Sequence, residues 1–474
     1  MRMIGCLILV AGLAGIAANP PHAFGQPLQR LRVSPNGRYF VKQDASPFFF
    51  LGDTAWGLFH FTREDVDLYL ADRAAKKFTV IQAIVAYWGG LDNANAYGQT
   101  VFVDKDPNRP NEAYFQHVDY AVNKAESLNL YVAMVPIWST SYVRQGRSVL
   151  DKSSAFSYGK FLATRYRNKP VIWILGGDWL GDGLEDIWRA MAAGMTEGDG
   201  GTHLKTYHPT GLKSSSEWFH HDAWLDFNML QTGHRILNRN YELVASDYAL
   251  EPPKPIVDGE SAYEGITNNL ADYKPGVPLI EPKDVRRMAY CALFAGAAGY
   301  TYGSHGVWNY RSNGRGDSVW GPDVPLREAL DRPGGSQMQY VRNLIESRPF
   351  DCVPDQWLLL DDPMSTTERI QACRARDGSY AFVYTAAGRP VHVQLRDKLY
   401  DKVSGKTIRV FWYDPRQGTA THAEDFTKPA SGDNPRSPAL SRTFTPPSSG
   451  AGNDWVLVLD DASKNFPAPG GKRQ

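Results

Sequence analysis

Of 474 residues only 4 are cysteine, and 51 Lys and Arg balance 51 Asp and Glu to a formal net charge of +0. No basic block stands out, so neither nucleic acid nor an anionic lipid surface is an expected partner. Beyond the N-terminus no apolar run is long enough to span a membrane. There is no internal repeat, no H-x-H or H-E-x-x-H pattern to hold a catalytic metal, and no G-x-S-x-G elbow for a serine nucleophile. No glycine-rich nucleotide fingerprint follows any strand-like segment, which disfavours a doubly wound dinucleotide fold. No cofactor and no metal are expected.

Aromatic residues are abundant at 12%, with Trp 13 and Tyr 24. Arg2 followed by the apolar stretch Ile4 to Ala18, and Ala23-Phe24-Gly25 before Gln26, read as a signal peptide over 1–25. A secreted or periplasmic protein follows, free of the membrane once the leader is cut, and a monomer is expected. Export permits disulfides. Cys6 leaves with the leader, and Cys291 sits in an apolar helix-like run. Cys352 and Cys373 are either a disulfide or two core thiols.

From residue 26 to 349 hydrophobic strands alternate with amphipathic helices. "FFFLGDTAW", "TVIQAIVAYW", "LYVAMVPIW", "VIWILGGDW", "HLKTYHPTG", "FNMLQTGH", "KPIVDGESAYE" and "AGYTYGSHGVW" are eight strand candidates, the first followed by a helix capped by Thr62 and Asp65. That count is the α/β pattern of a (β/α)8 TIM barrel. Residues 350–462 change to short alternating strands between turn residues, an accessory antiparallel β-sandwich. The segment "KPASGDNPRSP" is a polar loop, and 463–474 reads as a disordered tail.

In a barrel of this kind the C-terminal strand ends face the active site. Here those ends carry Asp53, Trp56, Tyr87, Trp88, Trp138, Asp178, Trp179, His208, Gln231, Glu260, Tyr263, Glu264, His305 and Trp308. Turn chemistry alone favours Gly, Asn and Pro, so acids and aromatics there imply a site. Asp178 and Glu260 each follow glycine at the end of a hydrophobic strand, on the fourth and seventh units. Two carboxylates facing one another among aromatics meet the need of glycosidic cleavage: one protonates the leaving oxygen, the other attacks or stabilises the anomeric centre. The bland readings are a loop cap for Asp178 and a structural partner of Arg286 or Arg287 for Glu260, with Glu264 the alternative acid. The tryptophans divide between rim core and stacking platforms for sugar rings. His208, His234 and His305 read as hydrogen-bond donors rather than metal ligands.

"FFLGDTAW", "VIWILGGDW", "HPTGLKSSSEWFHHDAWLDFNMLQTGH", "PIVDGESAYE" and "AYCALFAGAAGYTYGSHGVW", in this order, resemble the apiosidase-like family of glycoside hydrolases. "FWYDPRQG" resembles the C-terminal module of that family, which is named for collagen binding. The resemblance spans most of residues 30 to 460. It implies a (β/α)8 barrel acting on apiose linkages of pectic polysaccharide, with Asp178 as acid/base and Glu260 as nucleophile. Many related retaining barrels carry Asn-Glu where this chain has Gly177-Asp178, so the stereochemical outcome stays open. The alternative from another class is a non-catalytic carbohydrate- or matrix-binding protein on the same scaffold.

Overall fold

A computed structural model describes residues 28–310, 319–361, 363–364, 366–394, 405–427 and 441–473. The expected leader with Cys6, and the polar loop at 428–438, lie outside the described residues. Eight parallel strands form the barrel: β1 (Phe50–Thr54), β2 (Val80–Ala86), β3 (Tyr131–Ile137), β4 (Val171–Gly176), β5 (Lys205–His208), β6 (Asn228–Gln231), β7 (Ile256–Glu260) and β8 (Gly299–Tyr302). They pair in the order β5-β4-β3-β2-β1-β8-β7-β6, with a short antiparallel strand, Lys213–Ser214, added to β6. Across the β5–β6 seam the Asp226 amide donates to the Lys205 carbonyl at 2.9 Å. The Thr206 hydroxyl donates to the Phe227 carbonyl at 2.6 Å. These strands are buried along their length, which is why they read as apolar runs rather than as alternating ones.

Helices cover the outside: α1 (Arg63–Ala75), α2 (Glu112–Ser127), α3 (Lys152–Arg165), α4 (Glu185–Asp199), α5 (Asn240–Tyr248), α6 (Pro282–Phe294) and α7 (Pro333–Glu346). The Thr62 hydroxyl caps α1, accepting from the Asp65 amide at 3.2 Å and donating to its carboxylate at 2.9 Å. Below the barrel, a small antiparallel sheet of Leu31–Val33, Phe40–Lys42 and Pro47–Phe48 plugs the N-terminal end. Its Phe40 ring meets Phe227 edge-on at 5.2 Å.

The accessory domain is a six-stranded antiparallel sheet flanked by a two-stranded one. The large sheet runs β9 (Cys352–Pro354), β10 (Ile370–Ala375), β11 (Tyr380–Thr385), then β16 (Trp455–Asp461), β13 (Thr407–Asp414) and β14 (Thr419–Thr427); β12 (Val391–Gln394) pairs with β15 (Ser441–Phe444). On β11, Ala381 and Val383 enter the sandwich core, while Tyr380, Phe382 and Tyr384 face the barrel. Tyr384 stacks on Tyr290 of α6 at 5.0 Å, and Phe382 on Phe294 at 5.5 Å. Two buried arginines fasten the same seam. Arg286 grips Asp454 through Nε and Nη2, at 2.9 and 2.6 Å, and Arg348 grips Asp460 likewise. A chain ending at residue 351 therefore exposes aromatic surface and strands Arg286. It is expected to aggregate, which size-exclusion chromatography would show against the full chain.

One expectation changes here. The tail after residue 463 is laid down on the protein: Phe466 lies 4.9 Å from the Arg348 guanidinium and 6.3 Å from the Tyr380 ring. An apolar ring with a cation to rest on outweighs the Pro/Gly character of its neighbours. Cys352 and Cys373 are free thiols in hydrogen-bonding contact. Register places Cys352 opposite Ala375 and Cys373 opposite Pro354. The two are thus diagonal neighbours, about 7–8 Å apart at Cα, at the edge of what a disulfide spans.

Candidate active site

A cleft of about 840 Å³ opens at the C-terminal face of the barrel. The turn after β4 brings one acid, Asp178, to its lining. Gly176, Gly177 and Asp178 have φ of 84°, 123° and 54°, a run of left-handed backbone that side chains rarely adopt. A Cβ on Gly176 would come within 2.5 Å of the Tyr207 ring, and one on Gly177 within 2.5 Å of Trp138. The glycines let the strand end pass beneath those two rings and turn the Asp178 side chain into the cleft. Thr140 fixes the turn, its amide and hydroxyl donating to the Gly177 carbonyl at 3.0 and 3.1 Å. Asp178 itself bears the strained backbone, as residues at functional sites often do.

Glu260 reaches the cleft by a different device. Asp258, two residues earlier on β7, would share its face on a regular strand. Instead the Asp258 carboxylate accepts from Asn240 of α5 at 2.9 Å and from Thr232 at 2.9 Å, on the helix side. The β6–β7 register shifts there: Leu230 pairs with Asp258 but Gln231 pairs with Glu260. One extra residue, Gly259, swings Glu260 inward, as β-bulges beside active sites do. Burial pushes the Asp258 carboxyl up to about 6 in spite of its hydrogen bonds.

Glu260 is held on both oxygens. His208 Nε2 lies 2.8 Å from Oε2, and His234 Nε2 lies 3.2 Å from Oε1. Burial pushes this carboxyl up, but the two histidines outweigh it and hold it well below the ordinary carboxylate range. His208 Nδ1 lies 2.9 Å from the Pro209 carbonyl and 3.3 Å from the Asp178 amide, so one imidazole touches both the Glu260 carboxylate and the main chain of Asp178. The Tyr263 phenol is a further partner of Glu260 and accepts from Trp56 Nε1 at 3.2 Å. Neither Arg286 nor Arg287 takes part: Arg286 serves Asp454, and Arg287 lies 3.5 Å from Asp284. Asp178 shifts the other way. Burial raises its pKa first and the nearby Glu260 charge raises it further, against a hydrogen bond from Gln231 and the two histidines.

Of the residues expected at the rim, Trp56, Tyr87, Trp88, Trp138, Asp178, Gln231, Glu260, Tyr263 and Trp308 line the cleft. The aromatics form one continuous wall: Tyr87 to Trp88 4.1 Å, Trp88 to Trp138 5.8 Å, Trp138 to Trp56 5.1 Å. Five others do not line it. His208 stands behind Glu260. Trp179 turns away and packs under the Arg144 guanidinium at 5.0 Å. His305 is fully buried beside Trp308. Asp53 is buried in an ion pair with Arg73 at 2.6 Å and accepts from Tyr69 at 2.5 Å. Glu264 accepts from Tyr302 at 2.6 Å. Both acids point toward the helix layer and serve the scaffold, because buried charge must be paired where it lies.

His60, Arg235, Asn269, Tyr310 and Trp320 line the cleft without having been singled out. They belong to the loops that follow β1, β6, β7 and β8, and His60 and Arg235, each within six residues of a strand end, were open to the strand-end rule. Burial lowers the His60 pKa to about 4, so it is a neutral imidazole near pH 7. Among the described residues no three His, Cys, Asp or Glu side chains converge as a metal's donor set.

Residues 34–351 match the family model described as "Apiosidase-like, catalytic domain". Residues 353–460 match that described as "Putative collagen-binding domain of a collagenase". Among solved structures, the chain is similar to one described as a glycoside hydrolase, at 32% identity and a TM-score of 0.81, covering 92% of this chain and 97% of that one. It is also similar to a glycoside hydrolase family 5 protein from Bacteroides vulgatus ATCC 8482, at 33% identity and 0.82, covering 94% and 96%. No curated protein matches. Because the catalytic-domain match runs the whole length of the barrel, and relatives at 32% and 33% identity extend over both domains, the protein belongs to the apiosidase-like family of glycoside hydrolases.

Proposed function

We propose that the protein is a retaining glycoside hydrolase acting on pectic polysaccharide of the plant cell wall, apiose-bearing side chains included. The family match supports the substrate class. One observation carries the mechanism: two carboxyls in one aromatic cleft are driven apart in pKa, Asp178 upward and Glu260 downward. Protonated Asp178 gives its proton to the glycosidic oxygen as the bond to the anomeric carbon breaks. Ionised Glu260 attacks that carbon from the other face and forms a glycosyl ester. Asp178, now a carboxylate, then takes a proton from water. The water oxygen attacks the anomeric carbon and releases Glu260. The aromatic wall offers flat faces to the sugar rings, and His208 and His234 keep Glu260 charged and oriented.

Reducing-sugar release from pectic fractions, with and without chelator, tests the activity. Proton spectra of the first-formed sugar test the stereochemistry. Release that needs added metal, or a product of inverted anomeric configuration, would overturn the corresponding part.

The pH dependence follows from the same two shifts. Glu260 must be ionised, and its depressed pKa puts the acidic limb of kcat/KM below the ordinary glutamate range. Asp178 must be protonated, and its raised pKa puts the basic limb above 3.8, the ordinary aspartate value. The titrations are coupled, so the limbs belong to the pair. In Glu260→Gln the repelling charge is gone, and the Asp178 pKa is expected to fall. Carbon-detected titration showing Asp178 unmoved would mean that the two acids do not share a site.

A further inference from the structure

A second depression, open to solvent and about 640 Å³ in volume, lies beside the cleft and is lined by Leu180, Asp182, Glu185, Arg189, Lys213, Glu217 and Trp218. Two loops join it to the catalytic pair. Asp178 lines the cleft and, on the same loop, Leu180 and Asp182 line the depression; Gly211 and Leu212 line the cleft and Lys213 the depression. Leu180 and Leu212 form the ridge between them, 40% and 50% exposed. Leu212 has φ of 63°, unfavourable for a leucine, and its amide donates to the Gln231 carbonyl at 2.7 Å. The strained backbone holds an apolar side chain out at the rim, next to the glutamine that bonds Asp178.

Trp218 is the aromatic side of this depression. Its indole lies on the backbone of Gly181, where a Cβ would come within 2.6 Å of the ring, and its Nε1 donates to Asp182 Oδ2 at 3.0 Å. A ring held flat at one edge and tied at the other is a preorganised platform for a sugar face. The cations are already engaged: Lys213 pairs with Glu217 at 2.8 Å and Arg189 with Asp222 at 2.7 Å. Asp182, Glu185 and Glu217 line the depression beside these pairs, three acids against two cations, and offer acceptors to hydroxyls. An acidic sugar would have to displace a carboxylate from Lys213 or Arg189 and would face the remaining acids; a neutral one meets acceptors, the remaining N–H donors and a ring without charge repulsion.

We infer that this depression is a distal subsite for a neutral sugar residue beyond the cleaved linkage, so that the substrate is an extended or branched glycan spanning both cavities. The inference rests on the glycosidase reading above. The test compares a disaccharide and a pentasaccharide from partial hydrolysis of pectic side chains, together with an all-uronate oligomer. In Trp218→Ala the KM and the Kd for the neutral pentasaccharide are expected to rise about tenfold. Its kcat, and both parameters for the disaccharide, stay within about twofold. Leu180→Lys, on the other wall and exposed, is expected to act in the same direction without disturbing the packing of Trp218. Binding is measured by calorimetry in the Glu260→Gln background, where no turnover interferes. If both variants bind and cleave long and short glycans in the wild-type ratio, the subsite is overturned. If the uronate oligomer shows the same Trp218 dependence, the neutral-sugar assignment falls. A protein that cleaves nothing yet loses pentasaccharide binding in Trp218→Ala overturns the hydrolase reading alone.

Discussion

Glu260→Gln is expected to lower kcat by on the order of 10⁴-fold or more while leaving the circular dichroism of the protein unchanged. The amide fills the same space and keeps an oxygen for one of the two histidines, but a neutral amide cannot attack the anomeric carbon. Asp178→Asn should lose less, about 10²–10⁴-fold on natural linkages, because it removes proton transfer and leaves the nucleophile in place. The two roles separate on an aryl glycoside whose leaving group departs without protonation. There Asp178→Asn recovers bond cleavage and accumulates the glycosyl ester, detectable by intact-protein mass spectrometry. Glu260→Gln recovers nothing. If Glu260→Gln retained turnover, or if the recovery pattern were reversed, the assignment of nucleophile and acid would be wrong.

Arg73→Met is expected to destabilise the fold by about 3–5 kcal/mol without altering the cleft. Arg73 and Asp53 are fully buried, with Nε and Oδ2 2.6 Å apart. Removing the arginine leaves a carboxylate stranded beside Tyr69, in a region where water cannot reach it. The loss is the penalty for an unpaired buried charge more than the worth of the pair itself. The double variant Arg73→Met, Asp53→Asn should therefore recover much of the stability. Urea midpoints at fixed pH measure both. A single variant with an unchanged midpoint would show that the pair is solvated or dispensable, and a double variant no better than the single would show that the charge is not the cause.

Asp53 and Glu264 show where reading the chain in one dimension fails. Both sit at or just past strand ends, as Asp178 and Glu260 do, and Asp53 follows a glycine as they do. Their partners set them apart: Arg73 lies twenty residues from Asp53 on a helix, and Tyr302 comes from a different strand than Glu264. Whether an acid faces a cleft or a cation depends on which distant residue reaches it.

The alternation of apolar strands and amphipathic helices determined the barrel by itself, because hydrophobic period and strand length are local properties that burial must satisfy. The eight strands, the capped first helix and the change to alternating strands after residue 350 are all in the chain for that reason. The strand-end rule also brought Asp178 and Glu260 together, since a closed parallel barrel sends every strand end to one face. Only the tertiary structure decided the rest. It shows that one residue of register slip at Gly259 sends Glu260 inward and Asp258 outward. It makes His208 an orienting group behind the acids instead of a sugar ligand. It sets Trp179 aside, packed under Arg144, while Trp218, thirty-nine residues further on, lines the adjoining depression. Those outcomes rest on register, on close approach between segments far apart in sequence, and on the pairing of buried charge, and none of the three is a property of neighbouring residues.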